Sequence, residues 1–206
     1  MKNQGHCGSC WAFSATGSME GAWFKKNKTL VSLSEQNLVD CDKKSLGCKG
    51  GSMELAFEYV IKTGGIDTEE SYPYKGVDSP NCKYNSDNVG ASITDFKRVK
   101  SGNEKELLKE VAKIGPISVG IDASQPSFHL YKEGIYYEKK CSSERLDHGV
   151  LVVGYGEDKD SDKEHTEYWI VKNSWGSTWG MKGYVNMSRN RDNNCGIATD
   201  PSYPIA

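Results

Sequence analysis

The sequence predicts an α+β fold with two lobes, a mainly helical lobe in residues 1–95 followed by a mainly β lobe in residues 96–206. In the first half of the chain apolar residues recur at helical spacing. After Pro116 the apolar runs become short and are bounded by glycines and polar loops, as in strands. This change of pattern places the boundary between the lobes near residues 90–100.

Helices are predicted where a capping residue precedes a periodic apolar run. Ser9 precedes the first run, Ser34 caps a short helix through Asp40, and Ser52 caps a helix over residues 53–63. Asn103 with Glu106 forms a capping box that opens a fourth helix. Strands are predicted over residues 117–121, 149–155, 168–173 and 183–187.

Composition and charge exclude several classes of function. The 206 residues include 26 Lys and Arg and 28 Asp and Glu, so the net charge is −2 and no basic stripe indicates a nucleic-acid partner. No apolar run approaches the roughly 20 residues that a membrane helix needs. The spacing Asp158-x-Asp160-x-Asp162 resembles the start of a calcium loop, but Lys163 and Trp169 replace the required glycine and acid. We therefore expect no metal and no cofactor.

The cysteine count is odd and indicates an oxidising compartment. Six of the seven cysteines could pair and one would stay free, and catalysis is one reason to keep a free thiol there. Two glycosylation sequons, Asn27-Lys28-Thr29 and Asn186-Met187-Ser188, fit the same compartment. No apolar signal segment follows Met1, so either this chain is a processed or truncated piece of a longer precursor, with its signal and propeptide outside this chain, or the secretory interpretation is wrong.

Cys10 is the candidate nucleophile. It lies in Gln4-Gly5-His6-Cys7-Gly8-Ser9-Cys10-Trp11, where a glycine-rich turn enters a helix. Backbone N–H groups and the helix dipole favour negative charge at that position, which lowers the pKa of a thiol. The alternative is a structural cysteine at a helix start.

His148 and Asn173 are the candidate partners of this thiol. His148 precedes an apolar strand, and an imidazole paired with a thiolate can protonate a leaving amine. Asn173 follows another strand, and its amide oxygen can orient the imidazole while Trp175 shields that bond from water. The alternatives are a core histidine, a turn asparagine and a core tryptophan. The other histidines, His6, His129 and His165, are expected to be solvated and receive no role.

These motifs and their spacing resemble the papain family, and most closely its cathepsin L members. The resemblance is carried by the CGSCW string around Cys10, by Asp147-His148-Gly149-Val150 and by Asn173-Ser174-Trp175-Gly176. The segments Ser34–Cys41 and Cys48-Lys49-Gly50-Gly51 agree with it. The resemblance implies a helical left lobe, a β-barrel-like right lobe and an active site in the cleft between them.

The resemblance also implies a cysteine endopeptidase with defined residue roles. Gln4 would supply a side-chain N–H to an oxyanion hole together with the backbone N–H of Cys10, although Gln4 could also be a plain loop residue. Cys10 and His148 would form a thiolate–imidazolium pair, with a lowered pKa for Cys10, a raised pKa for His148 and a bell-shaped rate profile. The implied disulfides are Cys7–Cys48, Cys41–Cys82 and Cys141–Cys195.

Substrate recognition is implied at a further set of positions. These are Gly50, Gly51, Met53, Gly120, Leu146, Asp147, Gly149, Trp175 and Asp200. Met53, Gly120, Leu146 and Gly149 would wall the pocket for the second residue before the cut, and Asp200 would form its floor. A carboxylate beneath apolar walls should have a raised pKa and, once ionised, accept arginine alongside leucine or phenylalanine. The alternative is that this short side chain points to solvent or pairs with a nearby lysine.

The expected partners are protein and peptide substrates, the chain's own propeptide and cystatin-type inhibitors, for a monomer that is lysosomal or secreted. Two other classes remain as alternatives. Cys7-x-x-Cys10 is also a redox or metal spacing, but no strand precedes it as in a βαβ unit. A catalytically inactive homologue that only binds peptides or inhibitors is the other alternative.

Overall fold

A computed structural model describes residues 1–158 and 166–206, and within them it contains five α-helices and nine β-strands. The helices are α1 Cys10–Asn27, α2 Glu35–Cys41, α3 Met53–Thr63, α4 Glu104–Ile114 and α5 Pro126–His129. The strands are β1 Ile66–Asp67, β2 Val89–Ala91, β3 Asp95–Arg98, β4 Ile117–Ile121, β5 Ile135–Tyr136, β6 His148–Glu157, β7 Glu167–Lys172, β8 Tyr184–Ser188 and β9 Ser202–Ile205. Most of the segment considered for calcium, and His165, lie outside the described residues.

The chain divides into two compact units that are not continuous in sequence. One unit comprises residues 4–97 and 202–206, and the other comprises residues 98–201 and 1–3. The sequence predicted contiguous lobes divided between residues 95 and 96. The observed division lies two residues further on, and both ends of the chain belong to the unit opposite to the one expected.

The helical unit is built from α1, α2 and α3 around one apolar core. Within α1, Trp11, Ala12, Ala15 and Met19 are buried at helical spacing and pack in the same cluster as residues of α3 and of the following segments. Ser34 and Ser52 cap α2 and α3, because their hydroxyl groups accept the backbone N–H of Asn37 and Glu54. Both caps and both helices were predicted from the sequence.

The helical unit also buries polar groups, among them Asp67 in β1. The backbone N–H of Asp67 donates to Oδ1 of Asn37 at 3.0 Å, and Asp67 Oδ2 accepts the N–H of Asn85 at 3.2 Å. Asp67 Oδ1 is buried without a hydrogen-bond partner. Burial raises the pKa of Asp67, and the bond from Asn85 offsets only part of that rise.

The β unit is an antiparallel sheet in the order β4-β6-β7-β8, with β5 parallel to β8. The four strands predicted after Pro116 correspond to β4, β6, β7 and β8. In the β4–β6 register Ile121 faces His148 and Gly120 faces Gly149. This pairing fixes His148 as the first residue of β6.

Helix α4 packs against this sheet and is held by its first residue. Asn103 caps α4 as predicted, with its side chain accepting the N–H of Glu106 at 3.0 Å. The buried carboxylate of Glu104 accepts Trp169 Nε1–H and the backbone N–H groups of Asn190 and Asn193. These bonds tie α4 to β7 and to the loop that precedes Cys195.

The cysteines form the three pairs that the resemblance implied. Cys7–Cys48 and Cys41–Cys82 lie in the helical unit, and Cys141–Cys195 lies in the β unit. Among the described residues, Cys10 is the one cysteine that does not form a disulfide. No helix among residues 1–158 and 166–206 is long and apolar enough to cross a membrane.

Candidate active site

Cys10 occupies the first position of α1, where the sequence placed the candidate nucleophile. The N-cap residue Ser9 makes no side-chain capping bond, and no acidic residue lies in the first turn. The positive end of the helix dipole is therefore not offset by a local carboxylate, and it favours the thiolate form of the half-buried Cys10 side chain.

The turn before α1 is shaped by the first disulfide and by Gly8. The Gly8 N–H donates to the carbonyl oxygen of Cys48 at 2.8 Å. A Cβ atom at Gly8 would lie 2.6 Å from that oxygen, so a larger residue would push the turn away from Cys48. Gly8, which makes this backbone contact, lies between Cys7 and Cys10. Cys7 forms its disulfide with Cys48, so the two cysteines of the C-x-x-C segment are not paired with each other.

Gln4 lies in the same turn and is buried. Its Nε2 donates to the carbonyl oxygen of Cys7 at 2.9 Å, and its own carbonyl oxygen accepts the hydroxyl of Tyr74 at 2.8 Å. Tyr74 also shares a 2.6 Å hydrogen bond with the hydroxyl of Ser9. The Nε2 bond to Cys7 holds the side-chain amide of Gln4, and the Tyr74 bonds hold its backbone next to Ser9 at the start of α1.

In the β unit, His148 and Asn173 form the predicted pair. His148 Nε2 lies 2.8 Å from Asn173 Oδ1, and both residues are buried. The Ser174 N–H also donates to Asn173 Oδ1 at 2.8 Å, so this atom is the amide oxygen and His148 Nε2 must carry the proton. Nδ1 is therefore the ring nitrogen left for proton exchange with a reacting group.

Aromatic side chains cover this pair. The Trp175 ring lies 4.9 Å from that of His148 at an angle of 32°, as the sequence predicted for a shielding tryptophan. Phe128 meets both Trp175 and His148 edge-on. Phe128 was not predicted from the sequence, and His129 was expected to be solvated and without a role. His129 is exposed as expected, but its ring stacks on Trp175 at 5.0 Å.

These two residues belong to the short helix α5, which was not predicted. Pro126 at its first position, followed by an aromatic pair, is the signal that could have indicated a helical turn there.

The pKa of His148 differs from the sequence expectation. Burial lowers the pKa of His148, and it outweighs the Asn173 hydrogen bond and the charge of Asp147, which both raise it. The nearby His129 lowers it further. The pKa of His148 was expected to be raised, and within the β unit this expectation is wrong, because desolvation penalises the imidazolium. A raised pKa would need an additional negative charge, such as a thiolate.

Three of the predicted pocket residues lie together in the β unit. Gly120 and Gly149 are cross-strand partners in β4 and β6. A Cβ atom at Gly120 would lie 3.0 Å from Leu146 Cδ1, so Leu146 packs directly against this glycine and a larger residue there would force it to shift. Asp147 is exposed, and its Oδ1 accepts the Ala123 N–H at 2.8 Å.

Asp200 differs from its prediction, because its side chain is exposed and not covered by apolar walls. The pH dependence expected for Asp200 required a buried carboxylate, and Asp200 is not buried.

The remaining predicted pocket residues lie in the helical unit. Gly50 ends a short 3-10 helix with φ of +121°, and Gly51 lies against the Trp11 ring. Met53 begins α3 and packs in the apolar core of the helical unit.

No group of three or more His, Cys, Asp or Glu side chains among the described residues is arranged to hold a metal ion. The helical unit presents a single free thiol at a helix N-terminus beside a fixed glutamine amide, and the β unit presents an imidazole oriented by a neutral amide under a tryptophan.

Comparison with known proteins identifies this combination. The sequence profile described as papain family cysteine protease matches residues 1–205, and the chain belongs to that family. Within the family it is similar to the cathepsin L-like peptidase of Aedes aegypti, with 56% identity over 207 residues that cover 100% of this chain and 60% of that protein. Procathepsin L of Mus musculus is 56% identical over 208 residues, which cover 100% of this chain and 61% of that protein.

Solved structures agree with this assignment. The digestive procathepsin L2 proteinase from Tenebrio molitor larval midgut matches with a TM-score of 0.94 and 44% identity, covering 100% of this chain and 64% of that chain. Digestive procathepsin L 3 of the same tissue matches with a TM-score of 0.92 and 43% identity, covering 100% and 66%. The chain spans about three fifths of the length of the curated relatives it matches.

Proposed function

We propose that this chain is the peptidase unit of a cathepsin L-like cysteine endopeptidase. The observation that carries the proposal is the free thiol of Cys10 at the N-terminus of α1, in a chain whose other six cysteines are all paired. The end of a helix favours the ionised form of a thiol, and a thiolate is readily oxidised in an oxidising compartment. A cysteine kept unpaired at that position therefore indicates a reactive role.

The first half of the reaction forms an acyl-enzyme. The Cys10 thiolate attacks the carbonyl carbon of the scissile peptide bond, and the carbonyl oxygen becomes an oxyanion. The backbone N–H of Cys10 and the second N–H of Gln4 stabilise that oxygen, a contribution that is typically worth about 2.7–4 kcal/mol per donor. His148 then protonates the leaving amine from Nδ1, because its Nε2–H is held by Asn173.

The second half releases the product. His148, now neutral, takes a proton from a water molecule through Nδ1, and the resulting hydroxide attacks the thioester. Collapse of the second oxyanion returns the Cys10 thiolate and the His148 imidazolium. A neutral orienting residue such as Asn173 is sufficient, because the thiolate supplies the negative charge that the imidazolium needs.

Substrate selection before the cut depends on the surface formed by the cross-strand pair Gly120 and Gly149 and by Leu146, which packs against Gly120. This surface carries no charged group and favours an apolar residue at the second position before the cut. Asp200 is exposed and able to pair with an arginine at the same position. The proposed partners are protein and peptide substrates, the propeptide and cystatin-type inhibitors, for a lysosomal or secreted monomer.

Active-site labelling tests the proposed function. A peptidyl epoxide or vinyl sulfone should label one thiol per chain, at Cys10, and peptidase activity should fall in proportion to the label. A quenched fluorescent peptide blocked at both ends should be cut internally. Labelling of Cys10 without any cleavage of blocked peptides would indicate an inactive homologue, and absence of labelling in folded protein would reject the nucleophile.

A further inference from the structure

The C-terminal end of α1 carries an exposed sequon beside an exposed aromatic ring. Asn27 is the last residue of α1, and Asn27, Lys28 and Thr29 are all exposed. Phe24 lies three residues before Asn27, and 48% of its surface is accessible. Residues three apart on a helix are neighbours, with Cβ atoms about 5–6 Å apart, so Phe24 and Asn27 occupy adjacent positions on the helix surface.

The backbone around Asn27 presents its amide at the end of the helix. The Lys28 N–H donates to the Phe24 carbonyl oxygen at 2.8 Å, and Lys28 adopts a left-handed conformation with φ of 61°, which ends α1. Thr29 therefore leaves the helix axis in an irregular segment. The Asn27 Nδ2 donates to the Trp23 carbonyl oxygen at 3.2 Å. A glycosylated Nδ2 keeps one N–H, which remains available as a donor to the Trp23 carbonyl oxygen.

We infer that Asn27 carries an N-linked glycan whose first N-acetylglucosamine packs on the Phe24 ring. The three disulfides require the oxidising route along which such glycans are attached. The donor is an oligosaccharide on a lipid diphosphate. A bond forms between Asn27 Nδ2 and the anomeric carbon, the bond from that carbon to the diphosphate oxygen breaks, and the amide proton leaves with the lipid diphosphate.

The contact with Phe24 follows from the chemistry of the two surfaces. One face of a pyranose ring presents C–H groups, which are attracted to the electron-rich face of an aromatic ring and lose water on contact. Phe24 is unusually exposed for an aromatic residue on a helix that buries its opposite face. The glycan thus covers apolar surface that the fold leaves in water.

The second sequon provides a contrast within the same chain. Asn186 lies in β8, with Ile135 of β5 and Ile170 of β7 as its register partners. The hydroxyl of Ser188, which would assist recognition, is buried. Once the sheet has formed, the strand cannot bend to bring this sequon into the active site of the enzyme that attaches the glycan. We therefore expect Asn186 to remain unmodified.

Glycopeptide mass spectrometry tests the attachment. The protein is secreted from a eukaryotic host, and its disulfide-bonded form is digested before and after treatment with a glycan-removing amidase. The peptide containing Asn27 should carry hexosamine and convert to aspartate at that position, the Asn186 peptide should be unmodified, and Thr29→Ala should abolish the glycan. An unmodified Asn27 in folded, secreted protein would overturn the inference, as would equal occupancy at Asn186.

The contact with Phe24 is tested by thermal unfolding of glycosylated and enzymatically deglycosylated forms. Removing the glycan should lower the Tm of the parent by about 2–4 °C, the shift expected for one surface contact in a domain of this size. Phe24→Ala should abolish that difference, while the matched variant Leu30→Ala, which removes another exposed apolar side chain after the sequon, should retain it. Equal loss in both variants, or none in either, would overturn the contact. The readouts do not depend on peptidase activity.

Discussion

Asn173→Ala is the substitution that tests the active site most directly. Asn173 Oδ1 accepts two hydrogen bonds of 2.8 Å, one from His148 Nε2 and one from the Ser174 N–H. Both donors lie in a buried region, so water does not replace the lost acceptor easily. The variant therefore removes the orienting partner of the imidazole and the side-chain oxygen that accepts the Ser174 N–H.

The magnitude of each effect follows from these two bonds. A hydrogen bond to a charged group is typically worth about 1.5–3 kcal/mol. If the His148 bond is retained through the transition state, its loss should lower kcat/KM by roughly 10- to 150-fold. Loss of the bond from the Ser174 N–H should cost about 0.5–1.5 kcal/mol of folding free energy. In a domain of this size that corresponds to a fall in Tm of roughly 1–6 °C.

The pH dependence gives a second readout with a definite sign. The hydrogen bond to Asn173 raises the pKa of His148, so its removal should lower that pKa further. His148 must be protonated to donate to the leaving amine, and the alkaline limb of activity should therefore move to lower pH. Asn173→Asp is the matched control, because it keeps an oxygen acceptor for both donors while its charge moves that limb to higher pH.

The assay measures kcat/KM on a blocked fluorogenic peptide from about pH 4 to 9, with active sites counted by an irreversible label, alongside thermal unfolding. A variant that loses Tm but keeps the parent's kcat/KM and alkaline limb would show that Asn173 only supports the fold. That result would refute the assignment of Asn173 as the residue that orients His148.

Three further predictions address other parts of the molecule. Cys10→Ser and His148→Ala should each remove nearly all peptidase activity with little change in circular dichroism, and substantial residual turnover in Cys10→Ser would contradict the mechanism. Burial raises the pKa of Asp67, so its contribution to stability is present at low pH and is lost as pH rises through the folded-state pKa. Asp67→Asn should therefore raise the Tm at neutral pH, by an amount that shrinks towards acidic pH, and a pH-independent difference would refute this reasoning. Asp200→Ala should lower the ratio of kcat/KM for arginine over leucine at the second position before the cut, and an unchanged ratio would show that Asp200 does not contact the substrate.

The parts of the fold that were predicted from sequence are those that local physics determines. Ser34, Ser52 and Asn103 begin helices because their side chains accept hydrogen bonds from N–H groups two or three residues on, a relation visible in the sequence. The strands β4 and β6 were predicted because their apolar runs are bounded by glycine and polar loops.

The remaining features depend on distant contacts. Strand β9 has four residues including Pro204, which gives too little periodicity to assign it, and its place in the helical unit depends on residues far away in sequence. The lowered pKa of His148 depends on burial, which neighbouring residues in the sequence do not reveal. Asp200 is exposed although it was expected to be buried, and the reason is the same. Its expected apolar surroundings were taken from the family resemblance, which does not determine which side chains cover this carboxylate.

The separation in sequence between residues 4–97 and Ser202–Ala206 sets the order of events during synthesis. Helix α1 packs against β9, and β9 is translated roughly a hundred residues after Lys97. At a translation rate of about 5–20 residues per second, β9 is synthesised about 5–20 s after residue 97. During that interval the surface of α1 that β9 will cover is open to water and to other proteins, whereas residues 98–201 are completed as one uninterrupted segment.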